Sequence, residues 1–433
     1  MNPGWAARIL CRMALMIPLT DYPGFAMSSS FFKSWAIDAR TREFIVELQN
    51  GEVIRKEMEA ADACGGSEVR LSIFDWESWT VQLVTNRNHL VVSEAYLPWK
   101  PDRTYGRPIV YLDQNHWSTV AQAMADPDRV AKKSEVGPAL ELIRLAQDDG
   151  VILPISSGHL RETSPLTGDR RYEVGVAMAN FSAGWQMRHP SRVGRNEHVK
   201  MLAVELGLSV PQSATVPIFT LEPHALLDDA VEASARHPSD HDLFKLILTS
   251  PEVILQVLLD PGIKAGKDPV AWVARNQEIT DFIRTARLSK EQKRNLAAGF
   301  IWGDNGLPVH EALRLLGASP DLRTSFDVAR QQTLLNSQPL TRAYTQLFIQ
   351  RHISKTTRWK ANDLIDMMYL SCAAGYADYV VAENQTGTQL MQSQRSRNEP
   401  VTVFTSLASA VDTILSDGAL TATERAAVSL QRT

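Results

Sequence analysis

The chain has 433 residues, of which 44% are apolar and 22% charged, and its formal net charge is −4 at pH 7. This ordinary globular composition excludes a disordered or fibrous protein, and the length suggests roughly two to three domains. Three widely spaced cysteines, Cys11, Cys64 and Cys372, exclude a disulfide scaffold and a zinc site made of cysteines alone. The acidic balance excludes nucleic-acid binding through bulk positive charge, whereas a local basic patch stays compatible with it.

The sequence has no run of about 20 apolar residues, the length that a membrane helix needs. The nearest candidate, from Ile9 to Pro18, is interrupted by Arg12 and matches a signal peptide only weakly. Met27 is an alternative start, in which case residues 1–26 are an upstream extension. We therefore expect a cytoplasmic protein without a membrane anchor.

Residues 27–100 are interpreted as a small N-terminal β-rich domain. Two β-forming runs, 43–47 and 53–57, flank Asn50-Gly51, and this dipeptide between such runs is the strongest short signal for a β-hairpin. Similar runs predict three further strands, at 69–74, 79–84 and 90–95. Pro98 and Pro101 suit a linker to the next domain.

The rest of the chain predicts an α/β domain with a parallel sheet and flanking helices. A strand at 108–113, a helix at 138–147 and a strand at 151–155 form a βαβ unit. The same order returns later, with a helix that ends before Gly375, strands at 379–382 and 401–404, and a helix at 407–415. The expected halves of the domain are 105–195 and 346–415, with a large helical insertion at 196–345 and a C-terminal tail at 416–433.

Acidic residues fall where these predicted strands end. Asp113 follows the first parallel strand and Glu383 follows the strand 379–382, and ligands of open α/β sheets collect at the carboxyl ends of the strands. Glu162 comes shortly after the strand 151–155, and Asp363 and Asp366 share one face of a helix. Carboxylates gathered at one edge repel each other unless a cation intervenes, and oxygen ligands select Mg²⁺ or Mn²⁺. Such an ion activates water for phosphodiester hydrolysis.

Four ordered segments resemble the motifs of PIN and PIN-like domain nucleases. They are YLDQN at 111–115, SSGHLRET at 156–163, NDLID at 362–366 and ADYVVAE at 377–383. The resemblance covers roughly 105–190 and 345–415 and implies a PIN-like parallel sheet. It also implies that one or two Mg²⁺ or Mn²⁺ ions are held by catalytic acids, namely Asp113, Glu162, Asp363 and Glu383, assisted by Asp366 or Asp378.

The chain departs from this family pattern in two respects. The last acid of the family is usually Asp, so Asp378 is an alternative to Glu383, and the insertion is far larger than in minimal members. Two polar residues are expected to support the acids. Asn115 lies where the family often has a small polar residue, and His159 shares a helical face with Glu162.

Each of these residues also has a simpler explanation. Asp113 is a favoured helix N-cap, and Asp363 has a similar alternative role. Asp366 is either a second metal ligand or a solvated residue of its helix. Glu383 and Asp378 have the alternative of being surface acids at a strand end. His159 has the alternative of being a packed core histidine.

A basic segment lies directly before Asp363 and suits nucleic-acid binding. Basic side chains with an interleaved tryptophan can bind a phosphate backbone and stack a base on the indole, and the segment contains Arg351, Lys355, Arg358, Trp359 and Lys360. The alternative interpretation is a solvated connector.

The leading hypothesis is a metal-dependent endoribonuclease that acts on RNA rather than DNA, as the resemblance implies. One alternative is a catalytically silent PIN-like module that binds nucleic acid or a protein. Another is a toxin or phage-defence nuclease that an inhibitory or regulatory protein partner restrains. The sequence does not indicate an oligomeric state.

Overall fold

The computed structural model describes residues 32–57, 68–96, 104–228, 240–264, 269–356 and 358–418, with the backbone alone for 240–249. The proposed extension 1–26, the linker around Pro98 and Pro101, and the tail beyond 418 lie outside the described residues. The architecture is mixed α/β, with an antiparallel sheet at the N-terminal end of the described chain. This confirms the coarse fold class.

The N-terminal sheet is antiparallel and, within the described residues, has six strands in the order β3-β2-β1-β4-β5-β6. The strands are β1 (Phe32–Asp38), β2 (Glu43–Leu48), β3 (Val53–Glu57), β4 (Val69–Asp75), β5 (Thr80–Thr85) and β6 (Leu90–Glu94). The hairpin at Asn50-Gly51 is confirmed, and Gly51 takes a φ of 86°, which favours glycine. β1 was missed because its residues lack a clean alternation of apolar and polar side chains.

The first half of the α/β region begins with β7 and continues mainly in helices. Its elements are β7 (Val110–Leu112), α1 (Gln114–Ala125), α2 (Val136–Gln147), α3 (Ser157–Thr163), α4 (Gly168–Ser182), β8 (Gln186–Met187), α5 (Pro190–Glu205) and β9 (Phe219–Thr220). Short 3-10 helices lie at Pro127–Arg129, Lys133–Glu135 and Gln212–Ala214.

The remaining elements comprise a helical region and a return to the sheet. They are α6 (Asp240–Leu259), α7 (Val270–Thr285), α8 (Lys290–Asp304), α9 (Gly306–Leu315), α10 (Leu322–Ser325), α11 (Val328–Leu335), α12 (Pro339–Ile353), α13 (Asp363–Tyr376), β10 (Tyr379–Val381), α14 (Asn384–Ser396), β11 (Val403–Phe404) and α15 (Leu407–Ser416). Across the described residues, no helix is both long enough and apolar enough to cross a membrane.

The parallel sheet of the described chain has three strands in the order β11-β10-β7. The predicted strand at 151–155 is wrong, because only isolated parallel bridges form there, from Ile152 to Ile109 and from Ile155 to Gln186. Pro154 has no N–H to donate, and the segment passes from one neighbour to the other within these few residues. The segment therefore runs beside β7 without continuing a regular ladder.

The parallel sheet separates two hydrophobic clusters. Val110, Leu112 and Val381 belong to a core shared with α1, α2, α4, α6, α15 and the strands β4 to β6. Tyr111 and Val380 belong to a second core, built with α5, α7 to α9 and α11 to α13. The helical region and the N-terminal sheet thus share cores with the parallel strands, and these cores hold the strand ends in place.

Gly375 does not end its helix, contrary to expectation, because α13 continues to Tyr376. A Cβ atom at Gly375 would lie 2.9 Å from the carbonyl carbon of Pro339. The glycine therefore permits close packing of α13 on the start of α12. Its role is tertiary, which a local pattern does not reveal.

Candidate functional site

Asp113 and Glu383 follow two neighbouring parallel strands. The Asp113 amide donates to the carbonyl oxygen of Val381 at 2.9 Å, which ties the end of β7 to β10. Asp113 Oδ1 accepts from the Gln114 amide at 2.7 Å, and Oδ2 accepts from the Glu383 amide at 3.1 Å. Asp113 therefore is the N-cap of α1, as the simpler alternative proposed, and it also fixes the backbone of Glu383.

Glu162 lies on α3, and a buried histidine holds this helix against β7. His159 Nε2 donates to the Leu112 carbonyl oxygen at 2.8 Å, and Nδ1 accepts from the Ser156 amide at 3.0 Å in a capping box. The imidazole stacks on Tyr111 with a centroid distance of 5.1 Å. Burial lowers the pKa of His159 to about 4. His159 is thus a neutral core histidine that positions the helix of Glu162.

A second contact joins α3 to α13, the helix of Asp363 and Asp366. The hydroxyl oxygens of Ser157 and Tyr369 lie 2.7 Å apart. A Cβ atom at Gly158 would lie 3.1 Å from the Tyr369 ring, so glycine permits the close approach of the two helices. Three segments that are distant in sequence are therefore fixed relative to each other at the carboxyl end of the parallel strands.

Burial raises the pKa values of the acids at this edge, and for three of them the charges of neighbouring acids add to the effect. Burial, followed by the negative charges of Asp113, Asp366 and Glu383, raises the pKa of Glu162 to about 8. Burial, followed by the charges of Asp113, Glu383 and Asp363, raises the pKa of Asp366 to about 7. The Glu383 pKa is raised by burial and by Asp113, and the Asp113 pKa is raised by burial. Four carboxyl groups thus share one poorly solvated region.

Asp363 forms an ion pair with an arginine of the chain itself. Its Oδ2 atom lies 2.5 Å from Nη2 of Arg351 and accepts from the Lys360 amide at 2.6 Å. Asp363 and Arg351 are 7% and 2% exposed, so this is a buried ion pair. Asp366, three residues further along the same helix face, is therefore the acid of α13 that acts on Glu162.

The described residues contain no group of three or more His, Cys, Asp or Glu side chains close enough to hold one metal ion. The acids are near enough to affect each other's ionisation, and their rotamers do not converge on one point. Asp378 is excluded as a ligand at this edge. Its Oδ2 atom accepts from the Ile109 amide at 2.7 Å, which places Asp378 at the opposite, amino end of β10 and β7.

The basic segment divides into buried and exposed residues. Arg351 and Trp359 are buried, and the Trp359 indole donates to Thr280 Oγ1 at 2.7 Å. The expected stacking of a base on Trp359 is therefore wrong, because hydrophobic packing and this hydrogen bond occupy the ring. Arg351 lies over the indole, with Cζ 5.0 Å from the ring centroid.

Three cations of the segment remain exposed, namely Lys355, Arg358 and Lys360. The positive charge of Lys360 opposes part of the rise in the Glu383 pKa, so this lysine lies near the acidic edge. Asn115 is exposed in the first turn of α1, two residues after Asp113. These exposed groups can contact a ligand approaching the acids.

Two further residues of the site were missed by sequence reasoning. His116 Nε2 lies 3.4 Å from the Ala382 carbonyl oxygen, and burial lowers the pKa of His116. The positive charge of Arg161 opposes part of the rise in the pKa of the neighbouring Glu162. Each lies within one helical turn of a predicted acid, and this closeness in sequence was the available signal.

Comparison of the chain with protein-family models, with curated proteins and with solved structures gives no match. A functional assignment therefore depends on the geometry of the site.

Proposed function

We propose that this protein is a metal-dependent ribonuclease with a PIN-like site. The observation that carries the proposal is that Asp113, Glu162, Asp366 and Glu383, from four segments, lie near enough to one another at the carboxyl end of β7 and β10 to affect each other's ionisation. Burial is the largest cause of their raised pKa values, and for Glu162, Asp366 and Glu383 the charges of neighbouring acids add to it. Such pKa perturbation in a group of neighbouring acids is typical of functional sites.

The arrangement of the chain around β7 supports a PIN-like core. Beyond the order β11-β10-β7, the parallel bridges from Ile109 to Ile152 and from Ile155 to Gln186 continue the same direction. The acids then come in the order of the family motifs, with Asp366 taking the place that the resemblance gives to Asp363. This substitution results from the Arg351 ion pair.

The donor set fits Mg²⁺ or Mn²⁺, because all four candidate ligands are carboxylates. Asp113, Glu162, Asp366 and Glu383 would hold the ion, and rotamer changes would be needed to bring their oxygens together. When bound, such an ion supplies an activated water and stabilises charge on the scissile phosphate. The exposed side chains of Lys355, Arg358 and Lys360 would bind the phosphates of single-stranded RNA.

The proposal is tested by RNA cleavage with matched isosteric variants. Asp113→Asn and Asp366→Asn should each reduce Mn²⁺-dependent cleavage of single-stranded RNA at least 100-fold. Asp412→Asn, at an exposed position of α15, is the control and should cleave like wild type. Circular dichroism of each variant verifies that the fold is kept. Cleavage by Asp366→Asn at the wild-type rate would contradict the proposal.

A catalytically silent PIN-like module is the second candidate. The buried Arg351–Asp363 pair favours it, because a cation of the chain already neutralises one acid of the motif. This alternative expects RNA binding that weakens in Lys360→Ala and Arg358→Ala, together with no Mn²⁺ binding. Mn²⁺ binding that depends on Asp366 would instead favour the ribonuclease.

A further inference from the structure

A buried cation of the chain lies beside the acidic edge. Arg351, in the last turn of α12, is 2% exposed, and its Nη2 atom lies 2.5 Å from Oδ2 of Asp363. Its Nε atom has no hydrogen-bond partner among the described residues. A buried guanidinium with an unsatisfied donor is costly, so structural hydrogen bonding alone does not explain why a cation is kept at this position.

The surrounding residues fix this guanidinium in place. Its Cζ atom lies 5.0 Å from the ring centroid of Trp359, which is a cation–π contact. The Trp359 indole is itself held by its hydrogen bond to Thr280 Oγ1. On the other side, the Lys360 amide donates to the Asp363 oxygen that pairs with Arg351. The positive charge is therefore held at one position beside the acids.

The charge of Arg351 acts on three acids of the edge. It pairs directly with Asp363, and it opposes part of the rise in the pKa values of Asp366 and Glu383. A second divalent ion would need these same acids, because the two ions of a two-metal site lie only about 4 Å apart. A fixed cation at this place repels such an ion and keeps Asp363 from binding it.

We propose that Arg351 takes the place of a second divalent ion at the acidic edge, so that the site binds a single Mg²⁺ or Mn²⁺ through its other four acids. Arg351 is a positioning residue: it withdraws Asp363 from the ligands and supplies a fixed positive charge beside Asp366 and Glu383. This inference rests on the proposed function, because it requires that the acidic edge binds a metal ion.

The number of bound ions tests the inference directly. Mn²⁺ is titrated into the full chain at pH 7.5, and electron paramagnetic resonance of the free ion counts the ions that are bound. Wild type should bind one. Arg351→Ala removes the guanidinium, frees Asp363 and leaves space for a hydrated ion, so it should bind two. Arg351→Lys keeps the positive charge and is the matched control, which should bind one.

Asp363→Asn tests the same charge from the other side. Without its partner acid, the charge of Arg351 acts on Asp366 and Glu383 with nothing to offset it, so Mn²⁺ should bind about tenfold more weakly or worse. Arg351→Ala combined with Asp363→Asn removes both charges and should bind one ion with nearly wild-type affinity. If Asp363 were itself a ligand, this double variant would bind as weakly as Asp363→Asn.

The outcomes separate this inference from the proposed function. Two ions bound to wild type, one ion bound to Arg351→Ala, or a double variant as weak as Asp363→Asn would overturn the inference and leave the ribonuclease proposal standing. No Mn²⁺ binding to wild type would overturn both. Thermal unfolding checks the fold of each variant. If Arg351→Ala does not fold, Asp363→Asn and the double variant decide, because the double variant leaves neither partner of the pair buried and unpaired.

Discussion

The paired ionisation of Glu162 and Asp366 predicts that stability falls as pH rises through neutrality. Both carboxyl groups have pKa values in the folded protein far above their ordinary values of 4.5 and 3.8. Between about pH 4 and pH 8 the folded state therefore binds protons that the unfolded state has already lost. The unfolding free energy decreases with pH wherever the folded state binds more protons.

The size of the effect is set by the pKa values of about 8 for Glu162 and about 7 for Asp366. A tenfold change in proton affinity corresponds to about 1.4 kcal/mol. Ionising either group thus costs the folded state on the order of 4 kcal/mol. The two costs overlap because each group contributes to the pKa of the other, so the combined loss is smaller than their sum.

The assay is urea unfolding between pH 5 and pH 9 of wild type, Glu162→Gln, Asp366→Asn and the exposed control Asp412→Asn. At pH 8.5 the Glu162→Gln and Asp366→Asn variants should each be more stable than wild type by about 2 kcal/mol or more. This difference in unfolding free energy should disappear at pH 5. The control should match wild type throughout. Groups such as His116 titrate in the variants and in wild type alike, so their contribution cancels when the unfolding free energy of wild type is subtracted from that of a variant. A gap that does not vary with pH would refute the reasoning.

Three further predictions concern the residues that hold the acids in place. Arg351→Met should cost about 3 kcal/mol in urea unfolding, because it leaves Asp363 buried and unpaired, and Asp363→Asn in that background should recover part of the loss. No recovery in the double variant would contradict the ion pair. Gly375→Ala should cost about 2 kcal/mol, because its Cβ would meet Pro339 at 2.9 Å, and unchanged stability would contradict that contact. His159→Leu should cost about 2 kcal/mol by removing two buried hydrogen bonds, and a smaller loss than for an exposed histidine variant would contradict its structural role.

The sequence predicted the local elements that have local signals. The Asn50-Gly51 hairpin depends on a two-residue turn, and the helix that carries Asp366 was predicted from its own local sequence. The neighbouring positions of Asp113 and Glu383 were predicted by the rule that parallel strands end at one edge of the sheet. Each of these features is encoded within a few residues or by a general topological rule.

The features that escaped prediction depend on contacts between distant segments. The burial of Trp359 requires Thr280 of another helix, and Asp363 is neutralised by Arg351 across a turn between α12 and α13. Asp378 faces the amino end of the sheet because Ile109 pairs with it there. A linear pattern of charges shows which groups are near in sequence, and it does not show which cation satisfies which acid.

Calorimetric titration of Mn²⁺ at pH 7.5 tests most directly whether these carboxyl groups share a divalent ion. Saturable binding by wild type and by the exposed control Asp412→Asn, lost in Asp366→Asn and Glu162→Gln, is the expected result. No heat of Mn²⁺ binding to wild type, or undiminished binding to the Asp366→Asn variant, would contradict the shared metal site.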